Sequence, residues 1–197
     1  MPDEISDESF SGEDWYAEVL DDRTYLRCTF TDVDLTEATS TGAVFEECAF
    51  NNVKLNASRH SDSAFLRCVF TRSNLFEAEF TGCKMTGSSF IDTALRPLRV
   101  TGGDWSFVSL AGADLRGITL ERVRMREVDL SGAKCEGAVF SGLDLSGANL
   151  RGTNLTRCDL RGSDLTALEP ATAQLQGAII DAQQAIVVAQ ALGLEIR

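Results

Sequence analysis

Apolar side chains recur at every fifth position of this chain. Reading from Phe10 to Leu165 in steps of five gives 32 slots, of which 30 are apolar; only Ser40 and His60 are not. Nine of the eleven Phe and both Trp fall in these slots. We label the slot i. Position i−2 runs Cys28, Val33, Ala38, Ala43, Cys48 and continues to Ser163, small or aliphatic, without one charge. Fourteen of the sixteen Gly share position i+2. A period of five matches neither the 3.6 of a helix nor the 2 of a strand. The pair i−2 and i has strand spacing, so the remaining beat must be a turn in each unit. Glycine suits such turns because it accepts positive φ. A chain that extends and turns repeatedly with one hand winds into a solenoid. Stacked coils then bury the inward pairs and share backbone hydrogen bonds.

The pattern changes near the C-terminus. Pro170 occupies an i slot, where it offers no N–H to a ladder. Asp181-Ala182-Gln183-Gln184 reads as a helix start with Gln three residues after the cap. Ala182, Ala185, Ile186 and Ala189 share one helix face; Val187, Val188, Ala191 and Leu192 widen it, and Gly193 ends it. A helix this apolar must be covered, either by the open solenoid end or by a second copy. The expected organisation is an acidic tail over residues 1–8, a solenoid over 9–180 and a C-terminal helix and tail over 181–197. The expected dimer face is Ala182, Ala185, Ile186, Ala189 and Leu192.

The repeating unit, seen in Ala113-Asp114-Leu115-Arg116-Gly117 and Ala148-Asn149-Leu150-Arg151-Gly152, resembles that of the pentapeptide-repeat family. The resemblance implies an all-β, right-handed quadrilateral β-helix with four units per coil. A 20-residue period follows, and the sequence carries it: Phe30, Phe50, Phe70 and Phe90 form one column, Leu35, Leu55, Leu75, Leu95 and Leu115 the next. About eight coils at roughly 4.8 Å each make a rod of about 40 Å.

Charge and composition narrow the chemistry. The chain has 197 residues, 30 acidic and 18 basic side chains, and a formal net charge of −12. Residues 1–22 hold nine acids and no base, which reads either as a solubilising leader or as a partner-binding cap. An acidic chain is a poor direct ligand for nucleic acid. No apolar run reaches membrane-spanning length, and the N-terminus lacks the regions of a signal peptide. The location expected is cytoplasmic. His60 is the one histidine. It lies in an inward slot with Ser40 one coil below, and is expected to be a hydrogen-bonded core residue. The six Cys occupy inward slots, with Cys28, Cys48 and Cys68 in one column, and are expected to be small core residues and not disulfides or metal ligands. Arg122, Arg124 and Arg126 alternate with Val123 and Met125, reading as a salt-bridged wall beside Glu121 and Glu127. No catalytic set, metal site or cofactor site is assembled, and no enzyme is expected.

Within the family, Ser58-Arg59-His60-Ser61-Asp62-Ser63-Ala64-Phe65, the Leu95-Arg96-Pro97-Leu98 break, Asp114-Leu115-Arg116-Gly117 and the Asp181-Ala182-Gln183-Gln184-Ala185 helix resemble its Qnr-related fluoroquinolone-resistance branch. That resemblance implies a homodimer joined through C-terminal helices, of DNA-like width. It also implies binding to DNA gyrase in place of DNA, with inhibition of supercoiling and protection from quinolone-type poisons. A role as a scaffold or self-resistance protein with another partner stands as the alternative. By 20-residue phase the wall holding Asp32, Asp92, Asp129 and Glu169 is the most acidic, and it is the expected partner-facing wall.

Overall fold

The five-residue phase becomes four walls in the computed structural model, which describes residues 4–196. Each wall is one unit wide, and each unit pairs with the unit twenty residues on. The Phe10 wall carries five parallel strands: Ser9–Ser11, Thr29–Thr31, Ala49–Asn51, Val69–Thr71 and Ser89–Ile91. The Tyr25 wall carries four, from Glu4–Ser6 to Ala64–Leu66. The His60 wall carries six, from Thr39–Thr41 to Val139–Ser141. The Leu35 wall is joined by single bridges, Asp14 to Asp34 to Lys54 to Asn74 to Ala94 and Asp114 to Lys134 to Asn154 to Gln174. All pairing is parallel, with register steps of twenty such as Phe50 to Phe70. The result is the right-handed quadrilateral β-helix expected from the repeat, followed by one helix, Ala182–Ala191.

Positive φ at i+2 makes the corners. It recurs at every fifth residue from Asp7 to Gly162, Pro97 excepted. The glycines account for only part of this: eighteen non-glycine residues, among them Arg27, Asp32, Glu47 and Arg67, share the conformation. Left-handed backbone at an L-residue costs roughly 1–2 kcal/mol, and the ladder on both sides holds it there. Leu35 N–H, for instance, reaches the Lys54 carbonyl at 2.7 Å, and Lys54 N–H reaches the Val33 carbonyl at 3.1 Å.

The i slots fill the interior. Phe10, Phe30, Phe50, Phe70 and Phe90 stack with centroids 4.6–5.0 Å apart, and Tyr25, Phe45 and Phe65 do so at 4.7–4.9 Å. Each aromatic pair adds roughly 0.5–1.5 kcal/mol beyond burial of its area. Further along, Leu110, Leu130, Leu150 and Leu145 take the same slots and are equally buried. Gly103 stands in an inward i−2 slot, where a Cβ would lie 2.0 Å from the Cys83 carbonyl oxygen. The large indole of Trp105, stacked near Phe90 at 6.1 Å, fills the interior beside it.

The corners come in two forms. In one, the N–H of residue i+3 bonds the carbonyl of i, as Ala133 does to Leu130 and Ala148 to Leu145. In the other the unit stays extended and that carbonyl lacks the turn partner. The i slots holding Phe, Tyr or His take the extended form; most of those holding Leu take the turn, with Leu120 an exception. A small polar residue at i−2 of the next coil then covers many of the freed carbonyls. Ser73 Oγ donates to Phe50 O at 3.1 Å, Ser88 to Phe65 O at 2.9 Å and Ser163 to Phe140 O at 2.7 Å. Cysteines do the same: Cys48 Sγ reaches Tyr25 O at 3.4 Å, Cys68 reaches Phe45 O at 3.3 Å and Cys83 reaches His60 O at 3.2 Å.

One expected boundary moves. The ladder begins before residue 9: Glu4–Ser6 pairs in parallel with Thr24–Leu26. The reason is Ile5, which is in phase with Phe10 and packs against the core. Residues 4–8 therefore belong to the first coil and not to a separate tail; residues 1–3 lie outside the described residues. Around Pro170 the ladder shifts by one residue, with Gly152 N–H bonding Thr172 O where Gly132 N–H bonds Arg151 O.

Candidate partner-binding surfaces

Asp181 caps the C-terminal helix. Its side chain accepts from Gln184 N at 2.9 Å, and Gln184 Oε1 accepts from Asp181 N at 2.8 Å, completing a capping box. Gly193 (φ 81°) closes the other end, with Gly193 N–H on Gln190 O and Leu194 N–H on Ala189 O. The apolar residues read as one broad face divide in two. Val187 and Val188 pack against the solenoid core. Gln184, buried, donates its amide to Leu160 O at 2.6 Å and to Ser163 O at 2.7 Å. These carbonyls end the last coil, so a polar residue docks the helix. The capping motif does not reveal this second role of Gln184, because an apolar helix face does not say which carbonyls the helix will meet. Ala182, Ala185 and Ile186 stay exposed, Ala189 is half-buried, and Leu192 is the C-cap, 58% exposed. One face plugs the solenoid; the other is uncovered.

The four acids of the expected partner-facing wall are not gathered into one surface. Asp32 and Asp92 sit at corner positions three coils apart, with Asn52 and Arg72 between them in the same column. Asn52 donates to Asp32 at 2.6 Å. Asp129 lies across the wall and accepts from Asn149 Nδ2 at 3.1 Å and from Ser131 N at 3.0 Å. Glu169 is beside the Pro170 interruption, its carbonyl accepting from Thr172 N. The flat part of the wall is neutral: its outward residues from Ser9 to Ala111 are Ser, Thr, Ala, Asn, Val and Ile. Asp32 and Asp92 share the wall's phase but stand at its corner.

Acidity is instead concentrated in the first coil. Glu4, Asp7, Glu8, Glu13, Asp14, Glu18, Asp21 and Asp22 precede the first cation, Arg23. Arg27 from the second coil reaches Asp7 through two 2.7 Å contacts, and this hydrogen bonding holds the Asp7 carboxyl below its ordinary range. Arg23 pairs with Glu18 at 3.3 Å. Farther along, cations meet acids in adjacent coils: Lys54 with Asp34, Arg67 with Glu46 and Glu47, Arg124 with Asp104, Arg126 with Asp144. The Arg122–Arg126 segment is thus salt-bridged, though Arg122 stands at a corner and its neighbour is Glu121 at 4.0 Å. Hydrogen bonding from Arg116 holds Asp114 at about 2.

His60 is buried, with Nδ1 2.7 Å from Ser40 Oγ and Nε2 3.1 Å from Ser58 Oγ, and it stacks on Phe80 at 4.9 Å. Burial pushes its pKa down to about 4, so it is neutral at pH 7. All six Cys are free and buried. Burial raises Cys83 to about 11 and Cys158 to about 12, so both stay protonated. Among the described residues no group of His, Cys, Asp and Glu is arranged to hold a metal ion, and no helix is long and apolar enough to cross a membrane.

Comparison with known proteins agrees with this architecture. The Pentapeptide repeats family model matches in eight copies, over residues 61–91, 106–142 and 129–166. The chain is 41% identical over 101 residues to the pentapeptide repeat protein MfpA of Mycobacterium tuberculosis, a match spanning 49% of this chain and 55% of that protein. The chain thus spans about half the length of that curated relative. A trypsin-treated form of QnrB1, a plasmid-mediated fluoroquinolone resistance protein, superposes with a TM-score of 0.72 at 26% identity, covering 100% of this chain and 99% of that one. Full-length QnrB1 superposes at 0.63 and 24% identity, covering 97% and 100%. The repeat, its 20-residue register and these likenesses together make the chain a pentapeptide-repeat protein similar to MfpA and QnrB1.

Proposed function

We propose that this protein acts as a homodimer that occupies DNA gyrase in place of DNA, without chemistry of its own. In this reading it inhibits supercoiling and protects the enzyme from quinolone-type poisons. The observation that carries the reading is the whole-length likeness to QnrB1, a fluoroquinolone resistance protein, joined to 41% identity with MfpA. The walls support it: they run without an inserted loop from Asp7 to Gly162, giving a rod of even width. The acidic first coil supports it too, since a surface that takes the place of DNA must present negative charge to a basic groove.

The dimer would form through Ala182, Ala185, Ile186, Ala189 and Leu192, the uncovered face of the capping helix. Sedimentation at micromolar concentration is expected to give a dimer, and Ile186→Glu a monomer with an unchanged melting temperature. A wild-type monomer would remove this part of the proposal. For the activity, purified gyrase is assayed for supercoiling and for quinolone-induced cleavage with a molar excess of the protein. Both should fall, and the effect should weaken as salt rises. If neither changes, the gyrase reading fails and a scaffold role with another partner replaces it.

A further inference from the structure

Between Asp7 and Gly162, Pro97 is the one corner that is not left-handed. Its ring holds φ near about −65°, so the turn made at i+2 elsewhere is closed to it. Arg96 before it is drawn toward extended backbone. The ladder records the result. Glu77 N–H bonds the carbonyl of Pro97, where the regular partner is the residue before, as when Ala57 N–H bonds Phe76 O. Above Pro97, on the Leu35 wall, three bonds that recur in other coils do not form among the described residues. Leu75 N–H reaches Ala94 O at 2.8 Å and Leu115 N–H reaches Lys134 O at 2.7 Å, but Leu95 N–H does not reach Asp114 O. Lys134 N–H bonds Ala113 O at 2.9 Å, but Asp114 N–H does not bond Thr93 O. Gly112 N–H bonds Ser131 O at 2.8 Å, but Asp92 N–H does not bond Ala111 O. Pro97 has no N–H to give.

This seam is confined to one wall. On the Tyr25 wall opposite, Asp104 N–H bonds Cys83 O at 3.0 Å and Arg124 N–H bonds Gly103 O at 3.1 Å, so the ladder runs through at this height. The Phe10 wall keeps its Ser89 to Ser109 bridge, and the His60 wall keeps Arg99 beside Thr119. Both corners of the seam are hollow. A recess of about 160 Å³ lies among Phe90, Leu95, Gly112 and Asp114, and one of about 390 Å³ lies beside Pro97, Leu98 and Gly117. Phe90 is 8% exposed where Phe30, Phe50 and Phe70 are 0%. Among the described residues one ion pair crosses the seam, Arg96 to Asp114 at 3.2 Å, and both side chains are exposed. We infer that the rod hinges here: the coils before Pro97 and those after it rock as two bodies, opening and closing the Leu35 wall while the Tyr25 wall flexes. Anywhere else, bending away from a wall must stretch its ladder bonds. Here that wall has none to stretch, and the recesses leave the coils room to approach. Arg96 and Asp114 form a latch in solvent, weak enough to part as the wall opens. Hinge motions of this kind run in microseconds to milliseconds. A jointed rod follows an arc that a straight one cannot.

Spin labels on the Leu35 wall measure the motion. Lys54→Cys with Lys134→Cys spans the seam. Asp14→Cys with Ala94→Cys spans the same four coils, about 19 Å, without crossing it. All four positions are outward and exposed, and the six native Cys are buried. Pulsed electron resonance on full-length protein, diluted with unlabelled chain, gives the distance distribution of each pair. The crossing pair should be about twofold wider than the control. Equal widths overturn the hinge. Pro97→Gly admits a left-handed corner and should narrow the crossing pair to the width of the control. A crossing pair that stays wide in this variant overturns the assignment of the hinge to Pro97. Gyrase enters neither measurement, so the outcome is separate from the gyrase reading.

Discussion

The two halves of the rod solve one geometry with different side chains. Up to Trp105 the interior is stacked rings beside one Leu column, the corners are mostly charged residues in a left-handed conformation, and three of the four walls carry extended strands. Beyond it the interior is mainly Leu, most corners are Gly, and hydrogen-bonded turns replace most strands. The register of twenty is the same in both. The coil is therefore set by the phase of inward residues, and the corner adapts to what fills the slot. The extended corner goes with the Phe, Tyr and His slots, whose rings reach farther from Cα than an isobutyl group, whereas Trp15 takes the turn and Ser40 the extended form. That corner gives up the carbonyl's turn partner, and the hydroxyls and thiols at i−2 return one at many positions.

The largest expected effect comes from placing charge in the ring stack. Phe70→Asp should abolish the fold, because a buried unpaired carboxylate costs several kcal/mol and two stacked neighbours are lost. A circular dichroism melt that matches the wild type would refute the inward phase.

Acid should separate the halves next. His60 sits in the ring-filled half with its pKa lowered by burial from 6.5 to about 4. A base held deprotonated in the fold stabilises it fully above pH 6.5, and that stability is lost as pH falls toward 4. The loss reaches about 3 kcal/mol at the low end. His60→Phe, which continues the Phe80 column, should remove this part of the pH dependence in urea melts between pH 7 and 4. An unchanged slope would mean that His60 is not the responsible group.

Corners give a smaller, opposite pair of effects. Gly137 has φ 65° and open space where a Cβ would go, so Gly137→Ala should cost roughly 1–2 kcal/mol from backbone strain alone. Ala57, at φ 54°, is the reverse case, and Ala57→Gly should be neutral or stabilising. Equal losses for both variants would contradict the corner argument.

Least is expected of the thiols. Cys68→Ser keeps a donor for Phe45 O and should melt close to the wild type. Cys68→Ala leaves that carbonyl without the thiol and should cost about 1 kcal/mol. If the two variants melt together, the i−2 donors contribute packing only.

Much of this was legible in the sequence because a solenoid writes its inside and outside directly into the phase. Phe50, Leu130 and His60 with Ser40 lie where the period of five and the step of twenty place them. What the phase cannot encode is depth and direction off the repeat. Ile5 continued the phase one unit into a stretch that charge alone marks as a tail. Asp32 and Asp92 share a phase with a wall yet stand on its corner. Gln184 looks like a cap residue until the helix is set on the last coil, where its amide reaches the Leu160 and Ser163 carbonyls.

The step of twenty, regular apart from the seam at Pro97 and the shift at Pro170, has a consequence for how such a rod can change length. Each residue lies directly over the one twenty positions earlier, so removing or duplicating twenty residues leaves every side chain on its own wall. Removing five keeps inside and outside but turns everything downstream by a quarter of a coil, setting Leu columns over Phe columns. A contact surface spread over several coils survives only the first kind of change. The molecule can be lengthened or shortened freely in whole coils, while anything recognised along its side is fixed to a compass bearing.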